Sequence, residues 1–496
     1  MPHLPLTIHS AAQVRAIDRY AIEQLKIPGY ALMTNAGEAA YLTVRSCWPA
    51  AQRIVVLCGP GNNGGDGYVL ARLALERGLE IKVIALADPV QLRGDAGQAW
   101  QDFVTAGGVA CKWSDDCLVD AEVVVDAIFG TGLSRPVEGE MAQRIHAINE
   151  CHAPVLALDI PSGLNADTGA VLGTAVQAER TLTFVGLKLG FYLGDGPNCT
   201  GIVMFDALEV PPEAAASVGI AATRIGEDAV ARLLPRRSRT AHKGQQGHVL
   251  VIGGGIGMAG AARLAGEAAL RVGAGLVTVA TRPENVAAII ADRPELICRG
   301  VLEAGEMEAL LERADVLAIG PGLGQDPWAE TMVNAALRSD IPAVLDADAL
   351  NLLARAPCVS KKWILTPHPG EAGRLLGISA LRVQGDRLGA AESIARRYGG
   401  VVVLKGAGTL VMREGALPVI CDQGNPGMAS PGMGDVLTGV ISGIVAQTAD
   451  LAGAAGAGVL VHAMAGDMAA RRGERGLLAT DLFTYLPTCV NPTQRI

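Results

Sequence analysis

The chain has 496 residues and a formal charge of −9, with 50% hydrophobic and 18% charged residues, enough for two or three packed domains and too apolar for a disordered chain. Its 62 glycines follow no three-residue period, which excludes collagen. The acidic balance and only 4% aromatic residues argue against nucleic acid as a partner.

In chain order, Ser10 with Gln13 makes a capping box that opens an amphipathic helix running to about Leu25. A second helix is expected over 30–47. Arg53-Ile-Val-Val-Leu-Cys58 reads as a buried strand ending in Gly59-Pro-Gly-Asn-Asn-Gly-Gly-Asp-Gly67, followed by a helix over 68–77 and a strand over 80–86. That alternation is βαβ, hence a parallel sheet. Strands at 123–126 and 155–159 each end in an aspartate. Ligands of open parallel sheets lie beyond the carboxyl ends of strands, so Asn62/Asn63, Asp126 and Asp159 should converge on one crevice.

Glu209-Val-Pro-Pro reads as a domain exit, with a boundary near 215–225 and domains at 1–217 and 224–496. The second half has strands at 248–252, 316–319, 343–346 and 401–404. The first runs into Gly253-Gly-Gly-Ile-Gly-Met-Ala-Gly260 and the second into Gly320-Pro-Gly-Leu-Gly324. Gly-rich helices follow Gly432-Met-Gly-Asp435; the apolar run 451–466, which carries His462, reads as a buried helix rather than a membrane span. The class is α/β, with two three-layer α/β/α domains.

Gly59-x-Gly61-x-x-Gly64 and Gly255-x-Gly257-x-x-Gly260 fit a dinucleotide fingerprint, with Asp88 roughly where a ribose acid would lie; they equally fit tight strand-to-helix turns. No Walker-type lysine loop occurs. Asp126 and Asp159, with Thr131, Ser134 and Ser162 beyond them, suit a hard cation such as K⁺ or Mg²⁺, or else cap helices. Thr366-Pro-His-Pro-Gly-Glu371 holds a histidine between prolines, at a site or in a stiff turn. Leu404-Lys-Gly-Ala-Gly-Thr409 can hold phosphate through backbone amides and a lysine. Gly432-Met-Gly-Asp435 offers amides to an anion and a carboxylate that accepts a proton or caps the helix. Arg236, Arg237, Arg239 and Lys243 read as a solvated linker. Ten dispersed cysteines without a C-x-x-C pair suit a reducing compartment. The start, Met1-Pro-His-Leu-Pro-Leu-Thr, lacks a secretory pattern, so a cytoplasmic location is expected.

Taken together the motifs resemble one family. Gly61-Asn-Asn-Gly-Gly-Asp-Gly67, Asp126-Ala-Ile-Phe-Gly-Thr-Gly-Leu133 and Asp159-Ile-Pro-Ser-Gly163 resemble the Rossmann-like NAD(P)HX epimerase domain. His242-Lys-Gly, Gly320-Pro-Gly-Leu323, Thr366-Pro-His-Pro-Gly-Glu371, Leu404-Lys-Gly and Gly432-Met-Gly-Asp435 resemble the ribokinase-like ADP-dependent NAD(P)HX dehydratase domain. The order is that of the two-domain fusion. The resemblance implies repair of hydrated NADH and NADPH: the first domain interconverts the R and S hydrates, and the second dehydrates the S form while ADP becomes AMP and phosphate.

In the epimerase domain it implies substrate contacts from Asn62, Asn63, Gly64, Gly65 and Asp66, from Gly130, Thr131, Gly132, Leu133, Ser134, Arg135 and Pro136, and from Asp159, which is also the expected acid/base group. Asn63, Asp126 and Ser162 would bind K⁺. In the dehydratase domain, Ala261, Gly322, His368 and Asp435 would line the NAD(P)HX site. Lys405, Gly406, Ala407, Gly408, Thr409 and Gly434 would hold ADP, with Mg²⁺ offsetting phosphate charge and Asp435 as catalytic base. The expected partners are NADHX, NADPHX and ADP, without nucleic acid or membrane; a homo-oligomer is expected from the large apolar share. The competing reading is a ribokinase-like small-molecule kinase fused to a nucleotide-binding scaffold domain.

Overall fold

The computed structural model describes residues 4–291 and 293–491; residues 1–3, part of the start read as lacking a secretory signal, lie outside them. The chain divides into two compact units, Met1–Ala222 and Thr223–Ile496.

In the first unit, Ser10 caps the helix Ala11–Glu23: its hydroxyl accepts from the Gln13 amide, and the Gln13 side chain accepts from the Ser10 amide. The second helix spans Gly29–Cys47. A parallel sheet of seven strands has the order Ala110–Cys111, Glu80–Ala85, Arg53–Cys58, Val123–Ala127, Val155–Leu158, Arg180–Phe184, Ile202–Asp206. The chain winds outward from Arg53–Cys58 in one direction, then returns to its other side at Val123–Ala127 and winds the opposite way. The switch point therefore lies between these two strands, and a crevice opens at their carboxyl ends. Ile54, Val56, Val123 and Val125 enter one apolar cluster, while Val55, Leu57 and Val124 enter another. Alternate residues thus feed cores on both faces, which is the three-layer arrangement. A short parallel pair, Thr7–His9 with Leu187–Lys188, completes the unit.

The structure differs from the sequence expectation at the third helix. It begins at Asn62 and runs to Glu76, so the Gly-rich motif is helix rather than loop. The reason is close packing. A Cβ at Gly64 would stand 2.2 Å from the Gly59 carbonyl oxygen, one at Gly65 2.6 Å from the Met33 side chain, and one at Gly67 2.7 Å from the Ala127 Cβ. Only glycine lets this helix approach its strand so closely. Gly64→Ala is accordingly expected to destabilise the first unit by about 1–3 kcal/mol, because backbone must move, and thermal unfolding would show it.

In the second unit, Ile297–Gly300, Leu276–Thr281, His248–Ile252, Val316–Ile319, Ala343–Leu345, Trp363–Leu365 and Val401–Leu404 lie parallel in that order. Thr409–Arg413 and Val419–Cys421 follow antiparallel. The order reverses between His248–Ile252 and Val316–Ile319, a second switch point. Each residue of Val316–Ile319 is buried, so both faces of the sheet are covered. The helices Ala259–Arg271, Met433–Thr448 and Leu451–Ala469 pack together against it. The helical stretch Leu451–Arg472 is long and apolar enough to cross a membrane, yet Ala454, Val461 and Ala465 within it are wholly buried in the apolar core.

Candidate active sites

In the first unit the strand ends enclose a cavity of about 560 Å³ at the switch point. Of the residues expected to touch substrate, Asn62, Asn63, Asp66, Gly130, Thr131, Gly132, Leu133, Ser134, Arg135 and Asp159 line it. Gly64 and Gly65 face the Gly59 carbonyl and Met33 instead, and Pro136 is not among the lining residues. Asp88 caps a short 3₁₀ turn through the Val90 amide at 3.2 Å and is not among the residues that line the cavity.

Asp126 and Ser162 lie wholly buried. The Ser162 hydroxyl donates to Asp126 Oδ1 at 2.6 Å, and the Ser162 amide donates to Oδ2 at 2.8 Å. The Phe129 amide donates to Ser162 Oγ at 2.8 Å. This net ties the loop after Val123–Ala127 to the loop after Val155–Leu158. Burial raises the Asp126 carboxyl to about 6 despite these bonds. Asn63 presents a buried amide whose oxygen and nitrogen both lack a hydrogen-bond partner among the described residues. Buried polar atoms are normally satisfied, so this amide is a candidate ligand-binding group.

Asp159 ends its strand one residue early because its backbone turns into the left-handed region, at φ 63°. Non-glycine residues held there are strained by about 1–3 kcal/mol and cluster at functional sites. Three other carboxyls, Asp18, Asp66 and Asp95, line its cavity. Burial raises Asp18 to about 6, and the neighbouring Asp159 adds to this. Asp66 is pushed well above the usual carboxylate range by burial, then by Asp159 and Asp18. The Lys188 ammonium forms an ion pair with Asp159. Sequence reasoning missed Asp18 and Lys188. A lone lysine within Phe184-Val-Gly-Leu-Lys-Leu-Gly-Phe191 was the available signal for the second.

In the second unit the structure brings together Ala261 with Gly322, and Lys405 with Gly434 and, through Glu371, His368. A Cβ at Gly322 would stand 2.9 Å from the Ala261 Cβ, so these two adjoin. The Gly324 amide donates to Asp348 Oδ2 at 2.9 Å, which links this turn to the helix after Ala343–Leu345. Lys405 points inward rather than toward solvent: Nζ lies 2.7 Å from Asp346 Oδ1 and 3.7 Å from Glu371 Oε2. A Cβ at Gly434 would stand 3.3 Å from this ammonium. Thr438 Oγ1 donates to the other Asp346 oxygen at 2.8 Å. Asp346 was missed, although it ends a strand as Asp126 and Asp159 nearly do.

His368 caps the helix Pro369–Leu376, its Nδ1 accepting the Gly370 amide at 3.0 Å, and its Nε2 lies 3.4 Å from Glu371 Oε1. Burial, then Lys405 and Arg374, lower its pKa, so the ring is neutral. The loop Lys405–Thr409 is held from beneath by Arg387, whose Nη2 donates to the carbonyls of Leu404, Lys405 and Gly408 at 3.2–3.4 Å. Thr409 Oγ1 donates to the Gly406 carbonyl at 2.8 Å. Asp435 sits in the first turn of Met433–Thr448, whose N-cap is Gly432 at φ 87°, so Asp435 does not cap the helix. No side chain caps that turn, which leaves its amides for an anion. Burial, then Asp346, raise Asp435 to about 7. A buried carboxyl raised toward neutrality beside a helix N-terminus is a candidate base.

Residues 249–488 match the family described as NAD(P)H-hydrate dehydratase, and residues 29–190 match the YjeF-related protein N-terminus family. A Coxiella burnetii protein named bifunctional NAD(P)H-hydrate repair enzyme Nnr is 50% identical over 486 residues, covering 98% of this chain and 99% of that one. An Escherichia coli protein of the same name is 44% identical over 490 residues, covering 99% of this chain and 95% of that one. A solved ribokinase-like superfamily protein from Enterococcus faecalis covers 54% of this chain and 95% of its own, with TM-score 0.51 and 30% identity.

Proposed function

Because the chain belongs to the bifunctional NAD(P)H-hydrate repair enzymes, epimerising hydrated NAD(P)H and dehydrating it, we propose that Asp159 and Asp435 are the catalytic groups of the two steps. The observation that carries this is an acidic cluster with a lysine in each unit: Asp159 lines the strand-end cavity in an ion pair with the buried Lys188, and Asp435 stands in the first turn of Met433–Thr448 near Lys405, which pairs with Asp346.

Water adds to the enamine of a reduced nicotinamide at the carbon beside the ring nitrogen. In the first cavity, Asp159 accepts the proton of that hydroxyl. The carbon–nitrogen bond opens, its electron pair going to the nitrogen and the conjugated carboxamide. The carbon becomes a planar aldehyde. Reclosure on its other face, with return of the proton, inverts it. The Asn63 amide oxygen, the Asp126 carboxylate and the Ser162 hydroxyl would supply oxygen donors of the kind that K⁺ takes, and the unpartnered Asn63 amide supports that reading. Bound there, K⁺ would supply positive charge beside a cavity rich in carboxylates.

In the second unit, Asp435 accepts the hydroxyl proton of the S hydrate, and that oxygen attacks the terminal phosphoryl of ADP. AMP leaves. Phosphate then departs from the ring carbon with the bonding pair, the neighbouring carbon loses a proton, and the double bond returns. The uncapped amides of Gly432–Gly434 and Lys405 complement the transferring group. Mg²⁺ would enter with ADP and supply neutralisation of its phosphates.

The test is mixed R and S NADHX with ADP, Mg²⁺ and K⁺, followed by NADH absorbance. Full conversion, with AMP and phosphate formed in step, is expected; conversion of the S share alone would remove the epimerase assignment. Since a base must be ionised and Asp435 is raised to about 7, the dehydration rate on pure S hydrate should rise with pH through about 7. A flat rate from pH 5.5 to 8.5 would exclude Asp435 as the base.

A further inference from the structure

Lys188 is fully buried, and neither reaction above uses it. In the parallel pair Thr7–His9 with Leu187–Lys188, His9 stands opposite Lys188. Lys188 Nζ donates to Thr183 Oγ1 at 2.6 Å and to the Phe184 carbonyl at 3.1 Å, and pairs with the Asp159 carboxylate. An ammonium has three donors, and three acceptors give it one orientation.

The surroundings explain why a cation is needed at this point. Four carboxyls line the cavity: Asp159, Asp18 from the first helix, Asp66 from the third and Asp95 from the helix Gly94–Thr105. Such a group shares protons freely, and each member disfavours charge on the others. Asp18 and Asp66 are both raised; the Lys188 charge offsets part of the rise at Asp18, but Lys188 hydrogen-bonds to neither of them among the described residues. Its contact with Asp159 alone breaks the symmetry. His9, on the other side, is buried with both ring nitrogens lacking a partner among the described residues. Burial and the Lys188 charge lower its pKa, so it is neutral and does not compete for the carboxylate.

We propose that Lys188 is the positioning residue of the epimerase site: its ion pair singles out Asp159 among the carboxyls of the cavity and fixes where its oxygens point. It acts through Asp159 and does not touch substrate. The proposal rests on the reading of Asp159 as acid/base group.

The test uses the full chain and follows conversion of pure R hydrate to S by chromatography. Lys188→Met should lower kcat by ~100-fold, the scale of a lost general acid–base contribution, with KM within about threefold of the parent. In Lys188→Ala, methylammonium or ethylammonium should restore part of kcat, which a purely structural role would not permit. Thr183→Val keeps the charge and shape but removes one anchor of Nζ; its kcat should fall by ~3–10-fold at unchanged KM, the cost of about one hydrogen bond. A Lys188→Met enzyme with parent kcat, or a folded Lys188→Ala enzyme that no alkylammonium rescues, overturns the proposal. If both Lys188 variants fail to fold, Thr183→Val with parent kcat overturns it. Full activity in Asp159→Asn would sink the underlying acid/base reading instead; an inactive Asp159→Asn beside an active Lys188→Met would sink this proposal alone.

Discussion

Asp435→Asn is expected to lower dehydration of the S hydrate by about 10³-fold while epimerisation proceeds at the parent rate. The amide fills the volume of the carboxylate but cannot take the hydroxyl proton. The Asp435 side chain makes no hydrogen bond among the described residues, and burial beside Asp346 raises it to about 7. An acid whose folded pKa is raised opposes folding at every pH above its unfolded value. Replacing it therefore relieves a penalty at neutral pH, and the variant should melt at the parent temperature or above. The measurement is NADH formation from pure S hydrate and ADP, beside a thermal melt. A stable variant that still dehydrates would exclude this residue as the base.

Asp159→Asn is expected to behave in the opposite way in stability. Epimerisation should fall by about 10²–10⁴-fold, so mixed hydrates yield NADH only from the S share. Here the residue removed is the partner of a fully buried lysine. Breaking a buried ion pair strands the remaining charge, a loss of about 3 kcal/mol, and the first unit should melt earlier. The two variants thus separate chemistry from folding: one carboxylate is held in its site against its own charge, the other is held by a counter-charge. Equal melting of Asp159→Asn and parent would show that Lys188 finds another partner.

Much of this was legible beforehand. Apolar runs such as Arg53–Cys58 and Val401–Leu404 are strands where expected, because a strand buried on both faces must be apolar throughout. The capping box at Ser10 and Gln13 is local and forms as read. The third helix starts at Asn62, earlier than the expected 68, an expectation that rests on the low helix propensity of glycine, which favours a loop there. Contacts with Gly59, Met33 and Ala127, distant in sequence or hidden in the turn, outweigh that propensity.

The sequence by itself determined the alternation of strands and helices, the Asp-ended strands, and the ordered motifs that mark both units. These are properties of neighbours along the chain. Only the tertiary structure decided what each carboxylate faces. Lys188 meets Asp159 across 29 residues, and Lys405 meets Asp346 across 59. Asp18 and Asp66 come from different helices. Whether a carboxylate is paired, crowded or left unbonded depends on burial and on charges brought near by folding. No spacing along the chain carries that information, because desolvation and Coulomb interaction depend on distance in space.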